Sequence, residues 1–119
     1  MAINLSTLVN QTNPLQLAKA WVNFNGTTAT PSTIRSSYNV SSVTKNSTGD
    51  YTVNFATAMA DANYTTVASF GDTGNTAFAA ASNVGFAVST SSVRVRSLAV
   101  GASPSTQDAD QANVQIFGN

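Results

Sequence analysis

The stretch Thr48-Gly49-Asp50-Tyr51-Thr52-Val53-Asn54-Phe55 decides the fold of this chain. From Tyr51 onward its apolar residues alternate with polar ones, which is typical of a β-strand with one face on a core and the other in solvent. Before the strand, Gly49 can supply the positive φ angle that a tight turn requires. Residues Val40 to Phe55 are therefore predicted to form a β-hairpin.

Strand-like patterns recur on both sides of this hairpin. The predicted strands cover residues 18–24, 34–43, 64–70, 84–88, 93–98 and 114–117. The segment 34–43 alternates until Val43, where the phase breaks, and we interpret the break as a bulge or kink. Short strands at this spacing predict an all-β, single-domain antiparallel β-sandwich of about seven or eight strands over residues 17–119. Residues 1–16 are predicted to be an N-terminal arm or short helix.

The composition argues against catalysis. The chain has no Cys, no His and no Glu, and its side-chain charges amount to five Asp and five Lys or Arg. Thiolate chemistry, disulfides and nearly all zinc sites are thereby excluded. Ser, Thr and Asn fill most other polar positions, and these groups form hydrogen bonds more readily than they transfer protons. We expect no enzyme, no cofactor and no metal.

The low charge also bears on partners. Only 8% of the 119 residues are charged and the formal net charge is +0, so the surface lacks the usual protection against association. Contact with further copies of the chain would remove that problem. Five scattered basic residues make no convincing basic stripe, so no nucleic-acid partner is expected. No run of 18 apolar residues occurs, so we expect no membrane insertion, and the first residues do not resemble a signal peptide.

Several blocks resemble one known family. The segments Ala18 to Gly26, Ser36 to Val43 and Thr48 to Phe55, with Tyr64 at a matching spacing after them, are similar to the C-terminal region of bacteriophage tail fibres and related prophage proteins. The resemblance covers about residues 17–70. Beyond Phe70 the similarity weakens, and only a pattern typical of β-strands remains, as expected of a fibre tip that varies with the host.

This resemblance implies a homotrimeric virion component that is assembled in the host cytoplasm and binds bacterial surface polysaccharide. Two alternatives stay open. A structural virion protein, such as a tail-tip or capsid decoration component, would bind only other virion proteins. An enzyme that acts on polysaccharide through two Asp residues is the weaker alternative, because the five Asp residues are spread along the chain.

Trp21 is the first candidate site residue. It falls on the opposite strand face from Val22 and Phe24, so its indole is predicted to point outward. An outward Trp stacks on a sugar ring or fills a subunit interface, and Trp is enriched at interfaces. We therefore assign Trp21 to an oligomer interface.

Two further groups are candidates for receptor binding. Asp72, Thr73 and Asn75 lie in a Gly-flanked loop and have the carboxylate and amide groups that hold sugar hydroxyls. An ordinary turn explains the same residue types by backbone preference alone. Arg94 and Arg96 share one face of a predicted strand, where they would pair with anionic polysaccharide or simply cover an exposed face.

Asp108 and Asp110 form the one local pair of carboxylates. Such a pair can bind calcium or act as acid and base. The loop lacks the further oxygen ligands that a calcium site requires, so two solvated loop acids are the expectation here.

Overall fold

The computed structural model describes residues 17–74, 78–99 and 105–118, and for residues 78–85 it describes the backbone alone. The predicted arm or helix of residues 1–16 and the candidate Asn75 lie outside the described residues. All the regular structure in the described ranges is β, with no helix. Its strands are β1 (Ala18–Asn25), β2 (Thr33–Tyr38), β3 (Val40–Ser47), β4 (Asp50–Phe55), β5 (Thr65–Gly71), β6 (Phe78–Phe86), β7 (Ser92–Ala99), β8 (Ser105–Thr106) and β9 (Gln111–Phe117).

These strands form two antiparallel sheets. The first sheet has the order β2-β1-β9-β5, and the second has the order β3-β4-β7-β6, with the two-residue β8 paired to the end of β7. Eight main strands in two sheets confirm the predicted single-domain β-sandwich. The predicted hairpin is also confirmed, since β3 and β4 pair directly around the turn at Gly49, whose φ is 66°.

The segment 34–43 was predicted to be one strand, and this prediction is wrong. The chain leaves the first sheet at Tyr38, turns at Asn39 with a φ of 55°, and enters the second sheet at Val40. The Asn39 amide group stabilises this crossing by donating to the Lys19 and Thr57 carbonyls, both at 3.1 Å, and by accepting from the Thr57 backbone N–H at 2.7 Å. Asn is among the residues that tolerate such a backbone conformation.

The β6 region also differs from the sequence interpretation. The segment 84–88 was predicted to be a separate strand after an apolar stretch at 77–81. Instead β6 runs continuously from Phe78 to Phe86, and the chain turns at Ala87 with a φ of 47°.

The core lies between the inward faces of the two sheets. Period-2 alternation places the buried residues of β1, β4, β7 and β9 on these faces. The largest fully buried side chains are Tyr51 and Phe24, whose rings meet edge to face with centroids 5.1 Å apart. Burying an apolar side chain of this kind contributes about 1.5–3 kcal/mol. A shift of one residue in the strand pairing would turn these side chains to the outer face, so their burial fixes the strand register.

The sandwich has two distinct ends. Strand β1 begins beside the end of β9, since Ala18 is paired with Phe117, and we call this end the proximal end. The connections that follow β1, β3, β5 and β7 all leave from the opposite, distal end. Both ends of the described chain are therefore proximal, and the loop that contains Asp72 is distal.

Candidate functional site at the distal end

A side-chain contact joins two loops at the distal end. The Asp110 carboxylate accepts hydrogen bonds from the Thr73 backbone N–H at 3.1 Å and from the Thr73 hydroxyl at 2.6 Å. The hydroxyl bond is the main reason that the pKa of Asp110 is lowered. The Arg35 guanidinium supports the same loop by donating to the Asp110 carbonyl at 2.5 Å. The sequence separated the two loops into different candidate sites, and the structure brings them together.

Asp72 lies beside this contact. One of its carboxylate oxygens accepts a hydrogen bond from the Gly74 backbone N–H at 3.0 Å, which is a local turn of the kind the sequence indicated. The other oxygen has no hydrogen-bond partner among the described residues. Asp72 therefore has one carboxylate oxygen that can accept a hydrogen bond from a ligand, and the turn holds the Asp72 side chain in place.

Asp108 is not the solvated acid that was expected. Its carboxylate pairs with the Lys45 ammonium at 2.6 Å and accepts from the Gly49 backbone N–H at 2.8 Å. Asp110 is bound to Thr73 instead, so the two carboxylates have separate partners. The described residues contain no group of three acidic, His or Cys side chains placed to hold a metal ion.

Beneath this loop lies the buried hydroxyl of Tyr51. Its oxygen is 3.1 Å from the Gly26 carbonyl and 3.3 Å from Asp108 Oδ1, and it accepts from the Ala109 backbone N–H at 3.4 Å. Burial raises the pKa of Tyr51 to about 12. The hydroxyl thus ties the loop after β1 to the loop before β9.

Arg94 and Arg96 lie on the outer face of the second sheet, where they share one carboxylate. Asp50 accepts from the Arg94 Nε and Nη2 atoms, each at 2.7 Å, and from the Arg96 Nε atom at 3.0 Å. Asp50 is 3% exposed. Burial alone would raise its pKa, but the hydrogen bonds from Arg94, Arg96 and Asn46 outweigh that effect and lower the pKa to about 2.

Both guanidinium groups also cover the Phe86 ring. Their Cζ atoms lie 5.2 Å and 4.7 Å from its centroid, for Arg94 and Arg96 respectively, which is cation–π distance. About a third of each side chain stays exposed. Two cations against one anion leave this group with one net positive charge toward solvent.

The two groups are linked through the backbone and hydrogen bonds of the loops between them. Asp50 follows Gly49, whose N–H binds Asp108, and the loop continues through Ala109 to Asp110 and Thr73. We refer to Asp72, Thr73, Asp110, Arg94 and Arg96 together as the distal surface. The sequence interpretation missed Asp50, which it read as a turn residue; its contact with Arg94 and Arg96 depends on the pairing of β4 with β7.

Trp21 lies away from the distal surface, on the outer face of the first sheet. It points outward as predicted and is 36% exposed. The strand register places it beside Tyr38 on β2 and Gln115 on β9, and Gln115 is in turn paired with Val67 on β5. Tyr38 is 57% exposed and Val67 is 48% exposed. We call Tyr38, Trp21, Gln115 and Val67 the outer row; it crosses all four strands.

Comparison with known proteins identifies no relative. No family model matches the chain, and neither the curated proteins nor the solved structures that were searched contain a match. Within the part of the chain that the structure describes, no helix is long and apolar enough to cross a membrane.

Proposed function

We propose that this chain is a tail-fibre-like component of a phage virion, which recognises bacterial surface glycan through its distal surface. In this proposal the protein is assembled in the host cytoplasm and is displayed on the particle, on its tail or its head. It acts as a binding module and catalyses no reaction. The family resemblance of residues 17–70 is one support, and the arrangement of the distal end is the other.

The observation that carries this proposal is the pair of hydrogen bonds between Thr73 and Asp110. They fix the loop of Asp72 at the end of the sandwich that faces away from both ends of the described chain. A module that is attached to a particle near its termini would present that end to the cell. Loops on a rigid β scaffold are the usual location of binding residues.

The chemistry of the distal surface suits a polysaccharide. Asp72 offers a carboxylate oxygen to sugar hydroxyls, and the Arg94–Arg96–Asp50 group offers one net positive charge to anionic substituents. Planar guanidinium groups bind carboxylate and phosphate in a bidentate geometry. Asn75 belongs to the same candidate loop and is tested with Asp72.

We further propose that three copies associate through the outer row, with Trp21 near its centre. The row presents two aromatic rings and one Val side chain on a face where the four paired positions carry no charge. Aromatic residues are enriched at interfaces and charged residues are depleted from interface cores. A trimer would present each distal surface three times, which converts weak single-site affinity into avidity.

The test is binding of the purified protein to whole bacteria and to polysaccharide extracted from them. We expect saturable attachment to the cells of a susceptible host and competition by its soluble polysaccharide. Attachment that survives removal of the polysaccharide would contradict glycan recognition.

The outer row also favours a second candidate, a structural virion protein that binds only other virion proteins. In that case the outer row contacts a different polypeptide and the distal surface has no receptor. Retention of the chain on particles, together with no attachment to any host that those particles infect, would favour this function.

A further inference from the structure

A cleft lies at the proximal end, remote from the distal surface. It has a volume of about 380 Å³ and is lined by Lys19, Tyr38, Asn39 and residues 57–60. This volume is at the lower end of the range for small-ligand sites, about 300–1,000 Å³. The cleft therefore suits one sugar ring better than a peptide segment.

Two polar groups that line the cleft, the Lys19 ammonium and the Tyr38 hydroxyl, are available to bind a ligand. Lys45 pairs with Asp108, and Arg94 and Arg96 pair with Asp50. By contrast, the Lys19 ammonium has no ion pair or hydrogen bond among the described residues, and neither has the Tyr38 hydroxyl. Lys19 and the half-exposed Tyr38 ring both line the cleft. A ligand that carries a carboxylate on a sugar ring can use both groups: its carboxylate pairs with the ammonium, and the C–H face of its ring packs on the aromatic face.

The walls of the cleft are fixed before any ligand binds. Asn39 joins the strand of Lys19 to the loop of Thr57 through hydrogen bonds in both directions. On the other side, the Met59 backbone N–H donates to the Thr90 carbonyl at 2.8 Å, and Met59 is 6% exposed. A preformed site loses little conformational entropy on binding.

We propose that this cleft binds a sugar acid, such as a uronic acid residue, with its carboxylate on Lys19 and its ring against Tyr38. This site is separate from the distal surface, and its test does not depend on glycan recognition there. It shares Tyr38 with the outer row, so a trimer contact through that row must leave the cleft side of the Tyr38 ring open. The carboxylate gives the affinity for acids, and the ring contact gives the preference for a sugar over a simple carboxylate.

The experiment is an NMR titration of the full chain with methyl glucuronide, methyl glucoside and acetate at low salt. We expect the glucuronide to shift the backbone amide signals of Asn39, Thr57 and Ala58, and to bind more tightly than either of the other two probes. Lys19→Met should weaken glucuronide binding at least about tenfold, since a charge-assisted hydrogen bond is lost. Lys19→Arg is the matched control and should retain binding.

Tyr38→Leu, which removes the ring and keeps an apolar side chain, should reduce the preference for glucuronide over acetate. The unliganded spectrum of each variant shows that it is folded. Equal binding of glucuronide by Lys19→Met, or shifts confined to the distal loops, would overturn the proposal. Acetate binding as tightly as glucuronide would also overturn it, because the site would then recognise only an anion.

Discussion

The Asp110 carboxylate binds both the backbone N–H and the hydroxyl of Thr73, across 37 residues of sequence. This side-chain contact joins the loop of Asp72 to the loop before β9. Asp110 is only partly buried and binds a loop residue, so its contribution is to the position of the loop and not to the stability of the core.

Replacing Asp110 with Ala should therefore free the Thr73 loop and leave the sandwich intact. We expect faster hydrogen exchange at the Thr73 amide and unchanged exchange at the core amides of β4 and β9. Asp108→Ala is the control, because Asp108 binds the Gly49 N–H and not Thr73. Unchanged exchange at Thr73 in Asp110→Ala would show that another contact positions the loop.

Gly26 is expected to tolerate no side chain. A Cβ atom there would lie 2.7 Å from the Ala109 carbonyl oxygen and would overlap the Tyr51 ring. Gly26→Ala should destabilise the protein by about 1–3 kcal/mol, as overpacking typically does, measured by denaturant unfolding. Gly71→Ala is the matched control, since its Cβ would come no closer than 3.8 Å to Gln111. Equal stability of the two variants would contradict this packing.

Acid should remove the contribution of Asp50 to stability. Its pKa is about 2 in the folded protein, below its ordinary value of 3.8, so the Arg pairing stabilises the fold above pH 3.8 and is lost as the pH falls toward 2. The shift corresponds to about 2 kcal/mol at neutral pH. We expect Asp50→Asn to be less stable than the parent by about this amount at pH 7, and by less than about 0.5 kcal/mol at pH 2.

Denaturant unfolding of both proteins at pH 7 and pH 2 measures these differences. Because the two proteins share all other acidic groups, the effects of those groups on the free energy of unfolding cancel when the two proteins are compared at the same pH. A stability difference that stays constant between the two pH values would show that Asp50 acts through packing rather than charge.

Trp21→Ala should weaken association and leave the fold intact, because the indole lies on an outer face and not in the core. Interface hot spots of this kind contribute at least about 2 kcal/mol, or roughly thirtyfold in the dissociation constant. Light scattering over a concentration series should give a trimer for the parent and smaller species for the variant. Thr52→Ala, on the outer face of the other sheet, is the control. A parent protein that is monomeric at micromolar concentration would contradict the proposed trimer.

Local alternation was enough to predict the sandwich, the hairpin of β3 and β4 and the outward position of Trp21. It failed at Asn39, because the pattern of residues 34–43 continues across a point where the strand changes sheets. Alternation reports which face is apolar, but it does not report which neighbour a strand pairs with. The change of sheet follows from the backbone conformation of a single residue.

The candidate site was predictable only in part. The placement of Asp72 and Thr73 in a loop followed from the local composition, whereas their contact with Asp110 depends on the strand order β1-β9-β5. Asp50 was assigned to the turn because Asp is common in turns. Its burial against Arg94 and Arg96 arises from the pairing of β4 with β7, which no local pattern indicates.

The most direct test of the central claim is attachment to host cells by a protein in which Asp72 and Asn75 are both replaced with Ala. The matched control is Asp61→Ala, because Asp61 accepts from the Asn63 backbone N–H in a turn of the same kind, in the loop between β4 and β5 at the proximal end. We predict that the double variant remains folded and assembled and loses attachment, while Asp61→Ala attaches as the parent does. Attachment by the double variant equal to that of the parent would contradict recognition through the distal surface.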